Sequence, residues 1–342
     1  MRNIEHPTGA RPTLKTIAFM TGLGVSTVSQ ALKDAPDISR STKERVRLVA
    51  KQIGYRPNRA GVRLRTGKTN VIALVLNTEE GSMGLVSEMV YGISDALANT
   101  SYHLVVTPYS LSDPLEPIRY IVETGSADGI ILSRTQADDP RVRYLVEHNM
   151  PFATHGRTDM DIVHPYHDFD NQAFAYEAVR IMNARGRRRI ALVGPPQNLL
   201  FQRHTRLGFE TALHEFGLSE FWLGDTNIDS PTTEIVAKGV ELGTREDRPD
   251  GIVCSAAISA IAMSAGLIDT GLQIGKDVDL VTKQSTKLLS LLRPEIMYIH
   301  EDFRRAGFDL AKAVIAWIDG ADPADLQYLA KPGIMKTELD LT

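Results

Sequence analysis

Short apolar runs rich in β-branched residues alternate with amphipathic stretches along the chain from Asn70 onward. Val71–Leu76 is typical of a buried strand, and the stretch that follows, near 85–98, has helical periodicity. The same alternation predicts strands at 103–107, 129–133 and 151–155, and it restarts with strands at 189–194, 251–255 and 278–282. Two successive sets of strands and helices predict two doubly wound parallel-sheet lobes. Because ligands bind at the carboxyl ends of the strands in such lobes, we expect a ligand site in the cleft between them.

The charge of the chain is divided unevenly, although its total is only −4. Residues 1–68 contain 14 Lys and Arg against four acidic residues, a net charge of +10. The remaining residues contain 24 basic and 38 acidic side chains, a net charge of −14. A basic segment joined to an acidic body is typical of a nucleic-acid-binding module fused to a domain with another role. The alternative is a solvated basic surface without a partner.

Residues 13–33 have the pattern of two short helices joined by a tight turn that glycines mark at 21–24. The apolar stripe of the first helix consists of Leu14, Ile17 and Ala18. The second helix is predicted from about Val25 to Lys33, with Val28, Ala31 and Leu32 pointing inward. Its opposite face carries Ser26, Ser29, Gln30 and Lys33. This pattern predicts a helix-turn-helix that offers its second helix to the DNA major groove.

A third helix is predicted from about Ser41 to Ile53. Ser41 and Glu44 have the spacing of a capping box, and Gly54 provides the end of the helix. Its apolar stripe, which completes a small three-helix core, consists of Val46, Val49, Ala50 and Ile53.

Several segments resemble the lactose/galactose-repressor family of bacterial transcription regulators, in the order and spacing of that family. In the basic segment they are Thr13-Leu14-Lys15, Ser26-Thr27-Val28-Ser29, Gly54-Tyr55-Arg56-Pro57-Asn58 and Leu64-Arg65-Thr66-Gly67-Lys68. Farther on they are Asp128–Leu132, Asp170-Asn171 and Gly208-Phe209, so that the resemblance covers essentially residues 13–340. It implies a small helical headpiece followed by an effector domain with the fold of the periplasmic sugar-binding proteins.

The resemblance also implies the domain boundaries. A mobile tail at 1–12 precedes a headpiece at 13–57, a hinge at 58–68 and a ligand-binding and dimerisation domain at 69–342. The N-lobe is predicted at about 69–170 plus 300–330, and the C-lobe at about 171–299 plus 331–342. In this family the hinge folds on operator DNA, and Leu64 occupies the place of a leucine that wedges into the minor groove. Gly61-Val62 stands where the family usually has Ala-Arg, and a plain flexible linker is the alternative.

The expected DNA-binding residues lie in the headpiece and the hinge. They are Thr13, Val25, Ser26, Thr27, Ser29, Gln30, Lys33, Tyr55, Asn58, Arg63, Leu64 and Arg65. Relatives commonly have arginine at Gln30, and glutamine pairs with the N6/N7 edge of adenine rather than with guanine. We therefore expect Gln30 to shift base preference toward A·T, with Ser26 beside it and Val25 next to a thymine methyl group.

The expected effector-binding residues are Asn77, Arg134, His155, Arg203, Arg206, Gln284 and Glu301. Around them the family pattern weakens, because Lys283-Gln284-Ser285, Ala256-Ala257 and Gly156 replace residues that are usually acidic or amide-bearing. Basic side chains in place of carboxylates favour an acidic or phosphorylated sugar derivative. Alternatively, these charges only stabilise the lobes, and Glu301 either holds sugar hydroxyls or pairs with an arginine.

Other classes of protein have weaker support. Gly194-Pro195-Pro196 follows a strand without a phosphate-binding glycine motif, and no nucleophile elbow is present. A metal site formed by His155, His164, His167, Asp168 and Asp170 is less favoured than a loop that crosses between the lobes at 164–168. We expect no enzyme activity, cofactor or metal. A sugar-binding protein or carbohydrate enzyme without DNA-binding function is the alternative.

The single cysteine, Cys254, and the absence of a signal peptide or an apolar run of membrane-spanning length indicate the cytoplasm. We expect a repressor of a carbohydrate uptake or catabolism operon, which binds a pseudo-palindromic double-stranded DNA operator and responds to a sugar-type effector. A homodimer is expected, because the chain ends at Lys336–Thr342 without the leucine heptads that join tetramers in this family.

Overall fold

The computed structural model describes residues 12–55, 67–77, 83–109, 112–286 and 288–333. The chain divides between Thr69 and Asn70 into two units. Residues 1–11 of the tail predicted at 1–12 and the hinge residues Asn58, Arg63, Leu64 and Arg65 lie outside the described residues. In the described part of the chain, no helix combines the length and the apolarity that crossing a bilayer requires.

The first unit contains the helices α1 (Leu14–Thr21), α2 (Val25–Leu32) and α3 (Arg40–Gln52). Thr13 begins α1 through a reciprocal cap, in which its hydroxyl oxygen accepts from the Thr16 amide and its own amide donates to the Thr16 hydroxyl. Gly22 ends α1 with φ at +66°, a conformation that favours glycine. The first helix of the helix-turn-helix therefore begins and ends where local contacts and backbone conformation require.

The predicted start of α3 is wrong. Ser39, rather than Ser41, precedes the helix, and its hydroxyl accepts from the Thr42 amide at 3.3 Å. Glu44 does not reach back to a cap, because it accepts from Arg40 one turn earlier at 3.0 Å. The three helices meet around a buried core of Ile17, Ala18, Val28, Ala31, Val46 and Ala50.

The second unit contains two parallel sheets. Its elements are, in chain order, β1 (Val71–Asn77), α4 (Met83–Leu97), β2 (His103–Tyr109), α5 (Glu116–Thr124), β3 (Gly129–Ser133), α6 (Pro140–Glu147), β4 (Phe152–His155), β5 (Tyr166–Phe169), α7 (Asn171–Ala184), β6 (Arg189–Val193), α8 (Leu200–Phe216), β7 (Ser219–Phe221), α9 (Thr232–Gly243), β8 (Gly251–Cys254), α10 (Ala257–Asp269), β9 (Asp279–Gln284), α11 (Leu288–Leu292), β10 (Met297–His300), α12 (Phe303–Ile318), a 3₁₀ turn (Pro323–Leu326) and β11 (Gln327–Ala330).

The strand order is β11-β5-β4-β3-β1-β2 in the N-lobe and β10-β9-β8-β6-β7 in the C-lobe, with all neighbours parallel. Two doubly wound parallel lobes were predicted, and the structure confirms them. The crossover loop predicted at 164–168 is wrong for its second half. Tyr166–Phe169 is the strand β5, paired with β4 and β11, and the chain crosses to the C-lobe directly after it.

Within the lobes, three helix pairs approach so closely that their backbones touch at glycines. A Cβ atom on Gly92 of α4 would lie 1.9 Å from the carbonyl oxygen of Arg304 on α12, and one on Gly208 of α8 would lie 2.0 Å from that of Gln172 on α7. Between α9 and α10, a Cβ atom on Gly266 would lie 2.0 Å from the Val236 oxygen. Real Cβ atoms do not approach other atoms so closely, so these contacts require glycine.

Candidate DNA-binding surface and effector cavity

The helix α2 presents a polar surface on the side away from the headpiece core. Val28 and Ala31 are fully buried, whereas Val25, Ser26, Gln30 and Lys33 are exposed. Thr27 and Ser29 are half-buried at the margins of this surface. In an α-helix, residues one and two turns apart share a face, which explains why the predicted set lies together.

The other predicted DNA contacts in the headpiece have different surroundings. Thr13 is exposed at the start of α1, and its hydroxyl already forms the cap. Tyr55 packs against the headpiece core, and burial raises the pKa of its phenol. Asp34, after α2, pairs with Lys43 at 3.2 Å and with Arg47 at 2.9 Å on α3. These ion pairs connect the end of α2 to the third helix.

In the second unit, a cavity of about 880 Å³ lies between the two lobes. It is bounded by side chains at the carboxyl ends of parallel strands from both lobes, as the doubly wound fold predicts. The N-lobe contributes Asn77, Ser133, Arg134, His155 and Asp168, while Asn171, Phe201, Asp229, Ser255 and Lys283 come from the C-lobe. Glu301 lies where the chain returns from the C-lobe to the N-lobe. We call this space the effector cavity.

The ammonium group of Lys283 is enclosed at the floor of the effector cavity. It lies 5.2 Å from the ring centre of Phe169, 5.7 Å from that of Phe174 and 5.5 Å from that of Phe201. It also donates to Asn171 Oδ1 at 2.8 Å and pairs with Glu301 at 2.9 Å. The aromatic faces and the carboxylate together compensate a charge whose side chain is only 10% exposed.

Contacts of Asp170 and Asn171 at the start of α7 position the side-chain amide of Asn171. The Asp170 carboxylate caps α7 by accepting from the Ala173 amide at 2.9 Å. Asn171, the first residue of α7, donates through Nδ2 to the Phe169 carbonyl and thereby directs its oxygen toward Lys283. The crossover between the lobes thus supplies a fixed acceptor for the buried lysine.

Two further titratable groups border the cavity. Burial lowers the pKa of His155 to about 3, assisted by the neighbouring His167 and Lys283, so its imidazole is neutral. Burial raises the pKa of Asp168 to about 6, although Arg157, at 3.0 Å, opposes this effect. His155 Nε2 lies 3.9 Å from Glu301.

Arg134 and Asp229 form an ion pair across the cleft, from one lobe to the other. Nearby, the Leu200 amide donates to the Thr135 carbonyl at 2.9 Å, and Gln136 forms an isolated antiparallel bridge with Leu199. These contacts connect the lobes on the side of the cleft where α8 begins, and they describe a closed arrangement.

Comparisons with known proteins match both units of the chain. Residues 13–58 match the family described as "Bacterial regulatory proteins, lacI family". Residues 69–330 match "Periplasmic binding proteins and sugar binding domain of LacI family". The HTH-type transcriptional regulator AglR of Rhizobium meliloti is 31% identical over 323 residues, covering 89% of this chain and 87% of AglR.

The chain belongs to the LacI family.

Two solved structures share the fold of this LacI-family protein. One is a complex of the transcriptional regulator CelR with cellobiose, with a TM-score of 0.68, 23% identity and coverage of 96% of this chain and 99% of CelR. The other is the Lac repressor dimer bound to operator and the anti-inducer ONPF, with a TM-score of 0.80, 19% identity and coverage of 96% and 98%. The predicted family, fold class and regulatory function are confirmed, and the protein is a DNA-binding transcriptional regulator rather than an enzyme.

The structure brings four of the seven predicted effector residues to the cavity of this LacI-family protein, namely Asn77, Arg134, His155 and Glu301. The other three do not line it. Arg203 is exposed and pairs with Asp159 at 3.2 Å, and Arg206 is held by Glu210 and Glu220. Gln284 is buried beside the cavity. Their role in effector binding stays a prediction without a geometric basis.

Several lining residues are not among the predicted effector contacts. In the sequence, Lys283 stands out only as a departure from the family pattern, and Asp168 only as a member of a histidine-rich segment. The sequence indicates a ligand contact only weakly at Ser255 and Asp229. Ser255 comes directly after β8, and Asp229 lies in a loop without a recognisable motif. The Ser255 Oγ is buried and has no hydrogen-bond partner among the described residues, so it is available to a ligand.

The histidines of residues 155–167 do not converge on one point. His164 packs on Phe152, with ring centres 5.3 Å apart, and its Nδ1 lies 3.0 Å from the Pro165 carbonyl oxygen. His167 pairs with Asp309 at 3.2 Å instead. Across the residues that the structure describes, no group of three or more His, Cys, Asp or Glu side chains is arranged to hold a metal ion.

Replacing Asp168 with Asn should change how stability depends on pH. The folded protein binds the Asp168 proton more tightly than the unfolded chain does, because its pKa is about 6 rather than 3.8. Ionisation therefore costs the folded state up to about 3 kcal/mol, a penalty that is absent at low pH and complete above the folded pKa. We expect the free energy of unfolding of Asp168→Asn, relative to wild type, to rise between about pH 4 and pH 6. Parallel urea-unfolding profiles of the two proteins across this range would contradict the assignment.

Proposed function

We propose that this LacI-family protein represses a carbohydrate uptake or catabolism operon by binding, as a homodimer, to a pseudo-palindromic operator, and that a neutral sugar in the effector cavity changes its affinity for that operator. A regulator that acts on operator DNA works in the bacterial cytoplasm. The two solved structures support the parts of this proposal, since CelR is in complex with cellobiose and the Lac repressor dimer is bound to operator.

The observation that carries the choice of a neutral ligand is the pairing of the cavity charges. Lys283 is paired with Glu301, Arg134 with Asp229 and Arg157 with Asp168. His155 is neutral, and Arg203 and Arg206 lie elsewhere. An acidic or phosphorylated ligand would find no unpaired cation among the described lining residues and would have to break one of these pairs. Sugar hydroxyls both accept and donate hydrogen bonds. They therefore suit the carboxylates, the amides and the Ser255 hydroxyl of this cavity.

Calorimetric titration distinguishes these ligand classes. Neutral saccharides, represented by D-glucose, D-galactose, maltose, cellobiose, lactose and melibiose, are compared with glucose 6-phosphate and glucuronate. We expect binding within the neutral set and a change of operator affinity when the bound sugar is added. Ser255→Ala should weaken sugar binding several-fold, whereas Ser259→Ala, which removes a buried unpartnered hydroxyl away from the cavity, should leave it unchanged. Tight binding of only the anionic compounds would overturn the proposal.

Gln30 carries a separate prediction about operator sequence. Gln30→Ala should cost about 1–3 kcal/mol of binding free energy at the preferred operator and flatten the preference for A·T at one base pair. The measurement is a set of binding isotherms on operators with single-base changes at constant salt. Lys33→Ala serves as the comparison, because loss of a cation near phosphates should weaken all sequences alike. If Gln30→Ala also weakened every variant equally, direct base contact by Gln30 would be excluded.

A further inference from the structure

A second cavity of about 820 Å³ lies directly beside the effector cavity and also between the lobes. The two cavities share Arg134 and Asp229 in their linings. We call the second space the adjacent cavity. The ion pair therefore stands at the junction of the two cavities.

Both members of the Arg134–Asp229 ion pair are positioned by the backbone and by hydrogen bonds within their own lobes. Arg134 has φ at +58°, a conformation that is rare for residues other than glycine, and its carbonyl accepts from Arg141 Nη2 at 2.9 Å. Arg141 is itself buried and fixed by Asp139, with Nη2 and Oδ2 2.7 Å apart. On the opposite lobe, the Asp229 amide donates to Asn227 Oδ1 at 2.9 Å. The arrangement is thus built into the fold rather than being a chance surface contact.

The pair retains unused hydrogen-bonding capacity. Arg134 donates through Nη2 to a single oxygen of Asp229, and the described residues leave its other N–H groups and the second carboxylate oxygen without a partner. A guanidinium has five donors, so four remain for a ligand. The free Arg134 donors match the ring and bridging oxygens of linked sugars, which only accept, and the free Asp229 oxygen matches a sugar hydroxyl that donates.

Apart from Arg134 and Asp229, the described residues that line the adjacent cavity present no unpaired charge. Its one other ionic residue, Arg141, is already paired with Asp139. The amides of Gln136 and Asn198 project from opposite lobes, and within the described residues neither side chain makes a hydrogen bond. The ring of Tyr109 and the ring carbons of Pro114 and Pro196 supply flat apolar surface. Free amides beside apolar rings are suited to a second neutral sugar unit.

We infer that the cleft is a two-part site for a neutral saccharide of at least two linked sugar units, with one unit in the effector cavity, the next in the adjacent cavity, and the Arg134–Asp229 pair beside the linkage. This inference rests on the proposed function, because it assigns the size of the ligand to a site already proposed for neutral sugars. Gln136 and Asn198 are then the residues that distinguish a disaccharide from a monosaccharide.

The test compares ligand length with cavity-specific variants. Calorimetric titrations of the full-length protein with D-glucose, D-galactose, maltose, cellobiose, lactose and melibiose should show at least one disaccharide that binds about tenfold or more tightly than its component monosaccharides. The double variant Gln136→Ala/Asn198→Ala should lose about tenfold in affinity for that disaccharide and none for the monosaccharide. Ser255→Ala, in the effector cavity, should weaken both. A thermal unfolding midpoint equal to that of wild type shows that the double variant is folded.

The outcomes separate the two proposals. If no neutral saccharide binds wild type, the proposed function fails. If monosaccharides bind as tightly as disaccharides, or if the double variant affects both alike, the two-part site is wrong while the proposed function stands.

Discussion

Lys283→Met should lower the free energy of unfolding of the effector domain by about 3–5 kcal/mol, the usual cost of removing one partner of a buried ion pair. Glu301, only 5% exposed, would keep its carboxylate without the ammonium that now lies 2.9 Å away. Asn171 Oδ1 would lose its donor as well. Methionine keeps the apolar stem against the three phenylalanine rings, so the loss reports the charge rather than a cavity. Guanidinium unfolding followed by circular dichroism measures it.

The double variant Lys283→Met/Glu301→Leu provides the control for this prediction. Replacing both members of a buried pair with apolar residues is often nearly neutral, so most of the stability should return. Sugar binding should be weakened in the double variant even though stability returns, because Lys283 and Glu301 both line the cavity. A single variant as stable as wild type would show that the pair contributes nothing to the fold.

Gly208→Ala should destabilise the C-lobe by about 3 kcal/mol, at the upper end of the usual range for overpacking. The added methyl group would lie 2.0 Å from the Gln172 carbonyl oxygen, which belongs to the backbone of α7 and cannot rotate away. The helices α7 and α8 would have to separate by more than an ångström, and the buried side chains of Phe174 and Phe209 pack in the same cluster. Thermal and chemical unfolding of the purified variant give the loss directly.

Gly194→Ala is the matched substitution. It lies in the same lobe, its backbone has no positive φ, and an added methyl group would be 3.4 Å from the nearest atom, a Leu192 side-chain carbon. Its effect on stability should be within about 0.5 kcal/mol of wild type. Equal destabilisation by the two alanine substitutions would show that the contact between α7 and α8 is not the cause.

The larger strands could be predicted from sequence because they are continuous apolar runs covered on both faces. β1 and β3 were predicted with nearly the observed bounds, since all or almost all of their residues are buried. β7, with only three residues, and β11, which is largely exposed, have no such signal. The sequence of β5 predicts a loop, because His167, Asp168 and a preceding proline are atypical of a strand. Pairing with β4 and β11 overrides that local preference.

The effector cavity could be predicted in part for the same topological reason. Asn77 and His155 end strands, and the fold requires strand ends to meet at the cleft. Arg203 and Arg206 lie on α8, where the face that a residue occupies depends on how the helix packs. Glu220, on β7, draws Arg206 away from the cleft, and this contact spans 14 positions in the chain. Such pairings between distant residues cannot be predicted from the spacing of residues in the sequence alone.

The pairing of charges inside the effector cavity also sets how the protein responds to ionic strength. Dissolved salt screens exposed charges over about 10 Å at 0.1 M, but it weakens buried, mutually compensated pairs far less. A neutral sugar that enters such a cavity displaces no counterions, so its affinity should change little between dilute and concentrated salt. Operator binding by residues 1–68, whose net charge is +10, releases counterions from DNA and falls steeply over the same range. A rise in ionic strength would therefore weaken operator binding directly, while the sugar affinity of the regulator in any one state of operator binding changed little.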